Sequence, residues 1–377
     1  MRPIGIYLHF PFCKQKCSYC DFNSYSGLEG LMGPYTDALI RQIEAADKGI
    51  AVRSLFFGGG TPSLLPPERL VDVLETVRRQ FMLLPETEIT LEANPATVTS
   101  EALEQLYRAG FNRLSIGLQA SQDRLLQEIG RIHRWSDFLE TFHMARKIGF
   151  TNISVDLIFG LPGQTVTDWK ETLAAVTVLE PEHLSAYGLQ LEEGTPLWER
   201  VERGMVKLPA EEEISAMMEW TMKFLPDAGY QHYEISNYAK SGHVSRHNLG
   251  YWLGEDYLGF GAGATSTYKG RRWTHLEDPE EYIQRIAAGQ STIAEEEILD
   301  PATRTEERLL LGLRLRSGID LGEWKEQYSF DLRPLLEGPL EYLVDEGWVE
   351  ITDDRLRLTD KGVLISNTVI AKLLSEI

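Results

Sequence analysis

Cysteine is nearly absent: the 377-residue chain has three, which excludes a fold stapled by disulfides and points to a reducing compartment, so a cytoplasmic protein is expected. No run of about 18 apolar residues occurs, which excludes a hydrophobic spanning helix and predicts no stable membrane insertion. The opening residues, Met1 to Phe12, lack the basic start and small-residue cleavage site of a secretory signal. Positive charge is also short. Against 57 Asp and Glu stand 37 Lys and Arg, a formal net charge of −20. Such a surface repels phosphate backbones and anionic membranes, so nucleic acid is not an expected partner. The acid runs Glu211-Glu212-Glu213 and Glu295-Glu296-Glu297 read as solvated helix faces or helix starts.

What the chain does have is length and a 43% hydrophobic content, enough for a large core divided into two or three units. It also has all its cysteines in one place, Cys13-Lys14-Gln15-Lys16-Cys17-Ser18-Tyr19-Cys20. Chance would gather three cysteines in so short a window about one time in a thousand. Thiolates spaced C-x3-C-x2-C on one loop can converge on a soft metal centre. Two centres compete. A four-iron cluster held by three thiolates keeps one iron open for a small molecule, whereas a structural zinc ion wants a fourth protein ligand, for which His9 is nearest. Three ordinary buried cysteines are the bland alternative.

Through the first two-thirds, short apolar strands at 4–9, 54–57, 88–92, 113–118, 153–159 and 183–189 alternate with amphipathic helices such as 35–46, 67–80, 100–109 and 135–148, a parallel βα pattern. Gly110 and Gly149 follow two of these helices, where a left-handed residue ends a helix. In parallel sheets, chemistry collects at the carboxyl ends of strands. There stand Gly58-Gly59-Gly60-Thr61-Pro62, whose glycines allow backbone N–H groups to approach a ligand, and the polar residues Glu92, Gln119 and Asp156, with Arg131 beyond. Each alone is ordinary loop chemistry.

Farther on, Arg246-His247-Asn248-Leu249-Gly250-Tyr251-Trp252 combines an imidazole with aromatics, a set that suits haem iron or plain packing. Gly259-Phe260-Gly261-Ala262-Gly263-Ala264 is a close-approach loop, weak as a dinucleotide signal. Porphyrin carboxylates would need local cations, and Arg246, Arg271 and Arg272 are the candidates. The tail reads as helices at 305–315, 321–327 and 335–345, a hairpin at 348–358 turning at Asp353-Asp354, and a last helix at 361–374. This is a winged-helix-like order without a basic recognition helix.

The C-x3-C-x2-C loop with Tyr19 before its last cysteine resembles the cluster loop of the radical S-adenosylmethionine (SAM) superfamily. The run Tyr7-Leu8-His9-Phe10-Pro11-Phe12-Cys13 resembles the branch of oxygen-independent coproporphyrinogen III oxidase, and H-N-x-x-Y-W resembles the motif of the haem chaperones called HemW. The resemblance implies a partial (β/α)6 TIM-type barrel over 1–190, an elaboration closing the barrel over 191–300, and a winged-helix-like unit over 301–377. It implies a [4Fe-4S] cluster on Cys13, Cys17 and Cys20, and SAM at Tyr7, Tyr19, Gly59, Gly60, Thr61, Glu92, Gln119, Arg131 and Asp156. Haem enters as cargo at His247, bound for haem-accepting proteins. Two departures separate the chain from the oxidases, which carry a fourth cysteine where Phe22 stands here and a longer segment ahead of the loop. A haem chaperone is therefore expected before an oxidase that decarboxylates propionates with an adenosyl radical. A zinc-stabilised βα binding protein is the third reading.

Overall fold

Strand β1 (Ile4–Phe10) is buried on both faces, as its near-continuous apolar run requires of a strand covered on each side. The computed structural model, which describes residues 2–374, surrounds it with β2 (Ala51–Gly59), β3 (Met82–Ala93), β4 (Arg113–Gln119), β5 (Ile153–Phe159) and β6 (His183–Gly188). These six run parallel in chain order, and their connections carry helices Met32–Glu44, Pro67–Gln80, Ser100–Ala109, Trp135–Ile148 and Val166–Thr177. Leu8, Phe57, Leu91 and Leu118 are wholly buried, each worth about 1.5–3 kcal/mol relative to exposure. Gly110 (φ 104°) and Gly149 (φ 124°) end their helices in backbone conformations that a side chain resists. The partial barrel of parallel βα units is thus present as expected.

Residues beyond β6 add strands at both edges: β7 (Gln231–Glu234), β8 (Asn237–Ala239), β9 (Tyr257–Phe260), β10 (Thr265–Tyr268), β11 (Arg271–His275) and β12 (Ile293–Ile298). The twelve-stranded sheet is ordered β12-β11-β10-β9-β1-β2-β3-β4-β5-β6-β8-β7 and stays open. The expected closing of the barrel is therefore an extension: β9 pairs parallel with β1, Tyr7 opposite Gly259, and antiparallel strands follow on either side. The Gly259–Ala264 loop is consequently the carboxyl end of a seventh parallel strand. The Glu295-Glu296-Glu297 run is also corrected. It lies in strand β12 rather than in a helix, held by Arg271 and Arg272 across the β11–β12 ladder, while Glu211-Glu212-Glu213 does open the helix Glu211–Asp227. An edge strand bearing three charges resists pairing with another chain.

The tail builds a second core from Leu309 to Leu373 around three short strands, Ile319–Asp320, Arg355–Leu358 and Val349–Thr352, in that spatial order. Asp353 (φ 52°) and Asp354 (φ 60°) make the hairpin turn, since two left-handed residues match the twist of the strands they join. The expected last helix is two, Asp360–Leu364 and Ser366–Leu374, parted at Ile365. Among the described residues no helix is long and apolar enough to cross a membrane.

Candidate functional site

The cysteine loop leaves β1 at its carboxyl end and is tied down at several points. Phe12 and Cys13 pair with Tyr25 and Ser26, the Ser18 N–H donates to the Ile129 carbonyl (3.1 Å), and the Leu197 N–H donates to the Ser18 carbonyl (2.8 Å). Tyr19 packs on the cluster of Ala120, Leu125, Leu126 and Ile129, so it anchors the loop from below. Cys13, Cys17 and Cys20 are free, partly exposed, and line one cleft with Gly59, Gly60 and Thr61. Among the described residues no three His, Cys, Asp or Glu side chains stand at the spacing of a single bound ion. Gly60 is glycine because a Cβ there would lie 2.6 Å from the Phe12 carbonyl oxygen and 3.0 Å from the Cys13 sulfur.

The N–H groups of that turn are not free for a ligand, contrary to expectation. Gly59 donates to Glu92 Oε2 (3.1 Å), Gly60 to the Phe10 carbonyl (2.8 Å) and Thr61 to the Phe12 carbonyl (2.7 Å). What the glycines supply is closeness.

A chain of hydrogen bonds joins two of the thiols across the strand ends. Arg131 Nη1 donates to Cys17 Sγ (3.5 Å), and its Nη2 to the Gly117 carbonyl (2.7 Å) and to Asn94 Oδ1. Asn94 Nδ2 donates to Thr61 Oγ1 (2.7 Å), whose oxygen lies 3.8 Å from Cys13 Sγ. Arg131 Nε and Gln119 Oε1 are buried without a partner among the described residues, and Gln119 is held at φ 69°, a backbone conformation costly for a residue with a side chain. Unpaired polar atoms at a strained strand end are what a polar ligand would satisfy. Asn94 is the link that the sequence did not single out; its only signal was its place two residues after Glu92.

Behind the cleft, Glu92 and Asp156 stand together, partly buried and lining it. Burial, then the Asp156 charge, pushes the Glu92 carboxyl up to about 8, and burial raises Asp156 against hydrogen bonds from Ser185 and Ser115. The pair also belongs to a second chamber inside the barrel, lined by Tyr7, Arg113, Tyr187, His247 and Tyr251. Two carboxyl groups with one buried arginine nearby suit a cation. Tyr7 reaches the same chamber, its hydroxyl 3.0 Å from His9 Nδ1.

Three sequence expectations fare differently. His9 is taken up by Tyr7 and by the Asn23 carbonyl (2.8 Å at Nε2), and burial lowers it to about 4, so neither nitrogen is free to complete a zinc site. His247 is buried in the chamber wall with Nδ1 3.1 Å from Ser54 Oγ and Nε2 3.0 Å from Tyr251 Oη, so its ring has no free lone pair for iron in this arrangement. Its backbone N–H and that of Arg246 both donate to Glu88 (3.1 Å each), a carboxylate buried in β3 that caps the helix Arg246–Trp252. The cations named for porphyrin carboxylates are also engaged. Arg271 pairs with Glu296, Arg272 with Glu297 (3.1 Å) and Glu307 (2.7 Å), and the Arg246 guanidinium donates to the Glu86 carbonyl (2.7 Å).

An open parallel βα barrel with three thiols and a polar strand-end cleft at its mouth defines the radical SAM class, and the Radical SAM superfamily model matches residues 7–176. The HemN C-terminal domain matches residues 299–365. The chain is 36% identical over 377 residues to the protein named Heme chaperone HemW from Bacillus subtilis (strain 168), covering 98% of this chain and 99% of that one. It is 33% identical over 375 residues to the HemW of Lactococcus lactis subsp. lactis (strain IL1403), covering 100% and 98%. The chain belongs to the HemW family. The solved coproporphyrinogen III oxidase (HemN) from Escherichia coli superposes with a TM-score of 0.86 at 24% identity, covering 100% of this chain and 91% of that one, a shared fold. Membership in the radical SAM superfamily implies a [4Fe-4S] cluster and SAM.

Proposed function

We propose that the chain is a cytoplasmic haem chaperone that holds a [4Fe-4S] cluster and SAM, binds haem as cargo and passes it to acceptor proteins. The observation that carries this is full-length similarity to relatives named heme chaperones, together with an exposed Phe22 where the oxidases have a further cysteine. Cys13, Cys17 and Cys20 would hold the cluster, whose contribution when bound is one electron beside a sulfonium. Glu92 and Asp156 supply acceptors for the positive end of SAM, Gln119 and Arg131 have buried polar atoms to spare for its polar groups, and Gly59, Gly60 and Thr61 give it room. Tyr7 and Tyr19 shape the walls. The hydrogen bonds of His247 to Ser54 and Tyr251 support a positioning role for it rather than iron ligation.

Anaerobic reconstitution followed by iron, sulfide and zinc analysis tests the cluster; a colourless protein with one zinc ion would overturn it. Haem titration followed by the Soret band tests the cargo, and transfer to a candidate apo-acceptor tests the chaperoning. His247→Ala is expected to keep the position of the Soret maximum. A shifted maximum would restore His247 as an iron contact. Turnover of a porphyrinogen with SAM and a reductant would favour the oxidase reading.

A further inference from the structure

The amino ends of the barrel strands border a groove that the cluster cleft does not use. Its volume is about 1060 Å³, against about 220 Å³ for the chamber around His247. Ile50 and Met82, at the starts of β2 and β3, line it together with the helix Leu321–Tyr328 of the second core. The helix Arg246–Trp252 divides the two cavities: His247, Asn248 and Tyr251 face the chamber, and Leu253, its C-cap, lines the groove. Met82 and Leu253 are 55% and 37% exposed, apolar surface left uncovered at the groove. Three cations line it, Arg2, Lys269 and Arg308. The Lys269 ammonium lies 4.8 Å from the centre of the Tyr268 ring, and Arg308 donates to the Trp252 carbonyl (3.2 Å); neither is in an ion pair among the described residues.

A flat, apolar macrocycle with two carboxylates asks for this combination of uncovered apolar wall and unpaired cation. The chamber is smaller and sets two carboxyl groups, Glu92 and Asp156, against one cation, Arg113. Of the acids at the groove, Glu255 is neutralised by Arg53 and Asp256 accepts the Lys269 backbone N–H. We propose that this groove is the haem seat, with the porphyrin face on Met82, Leu253 and Ile50 and the propionates turned to Lys269 and Arg308. The proposal rests on the haem-chaperone reading and deepens it. It also gives the helix Arg246–Trp252 a task that does not require His247 to touch iron: one end faces the chamber behind the cluster cleft, the other the cargo.

The experiment is a haem titration of the full-length, cluster-loaded protein, read at the Soret band, in wild type, Met82→Glu, Leu253→Asp and Lys269→Glu. Met82 and Lys269 are exposed, so these two variants keep the fold, which iron content and melting temperature verify. Each variant is expected to weaken haem binding by at least about tenfold, the scale of losing an apolar or charge-assisted anchor. Saturable wild-type binding with Met82→Glu and Lys269→Glu both within about twofold of it would remove the groove and leave the haem reading intact. No saturable binding by wild type would overturn both.

Discussion

Glu92 is a carboxyl in the wall of the cleft beside a second acid, Asp156. Its folded value near 8 lies far above the roughly 4.3 of an unfolded glutamate. The folded state therefore holds this proton more tightly, and the stability so gained is full below pH ~4 and lost progressively as pH rises to about 8. Melting of the cofactor-free protein from pH 5 to 9 should show that loss, up to about 1.4 kcal/mol per pH unit, and Glu92→Gln should flatten it. A cation bound beside Glu92 reverses the preference and expels the proton, so SAM affinity should rise with pH up to about 8 and lose that slope in Glu92→Gln. Asn94 gives a second test. It fixes the Arg131 guanidinium between Cys17 and Thr61, and a hydrogen bond to a charged group is worth about 1.5–3 kcal/mol. Asn94→Ala should weaken SAM binding by about tenfold or more while iron and sulfide contents stay at the wild-type level. Loss of the cluster with SAM affinity unchanged would count against the cleft as drawn.

At the scale of elements, the helix Arg246–Trp252 depends on a residue of another strand. Glu88 accepts two N–H groups at its first turn, assisted by Ser245 Oγ on the Asn248 N–H (3.3 Å). Glu88→Ala leaves two buried donors unpaired, a cost of about 1–3 kcal/mol each. The expected result is a lower melting temperature and faster amide exchange confined at first to 246–252; Glu88→Gln, which keeps one acceptor oxygen, should lose about half as much. No sequence pattern announces such a cap, because its donor and acceptor lie some 158 positions apart. The same limit explains what else was hidden. Strands β1 to β6 were legible because each carries its own apolar run, and β5 at 153–159 was legible to the residue. Strand β9, four residues long, is a strand only because β1 offers it a partner from the opposite end of the chain. Likewise Ile-Ala-Glu-Glu-Glu-Ile shows no alternation, and Arg271 and Arg272 on the neighbouring strand make β12 of it. The cysteine loop and the glycine turn were legible since their chemistry is contiguous, whereas the engagement of both His247 nitrogens needed Ser54, 193 positions away.

At the scale of the whole molecule, the barrel and the second core are joined through a buried ion pair. Glu234, wholly buried on β7, faces Arg314 at the end of the helix Pro301–Arg314 (3.7 Å), and the same guanidinium lies 4.4 Å over the ring of Trp252. Met218, on Glu211–Asp227, packs against both cores beside this pair, and Arg272 on β11 reaches Glu307 of the same helix Pro301–Arg314 (2.7 Å). Burial raises the Glu234 carboxyl, and Arg314 is the largest influence that lowers it again. Removing one partner of a buried pair costs about 3–5 kcal/mol, since the other charge is stranded, while replacing both with well-packed neutral residues is often harmless. Arg314→Ala should therefore split thermal unfolding, followed by calorimetry, into an early transition of the second core and a later one of the barrel. The double variant Glu234→Gln, Arg314→Met should bring them back together. The groove proposed for haem lies across this junction, with Met82 on one side and the helix Leu321–Tyr328 on the other, so Arg314→Ala should weaken haem binding even though Arg314 does not line the groove. A variant whose two cores still melt together, with haem affinity unchanged, would show that the junction does not hold the groove in shape.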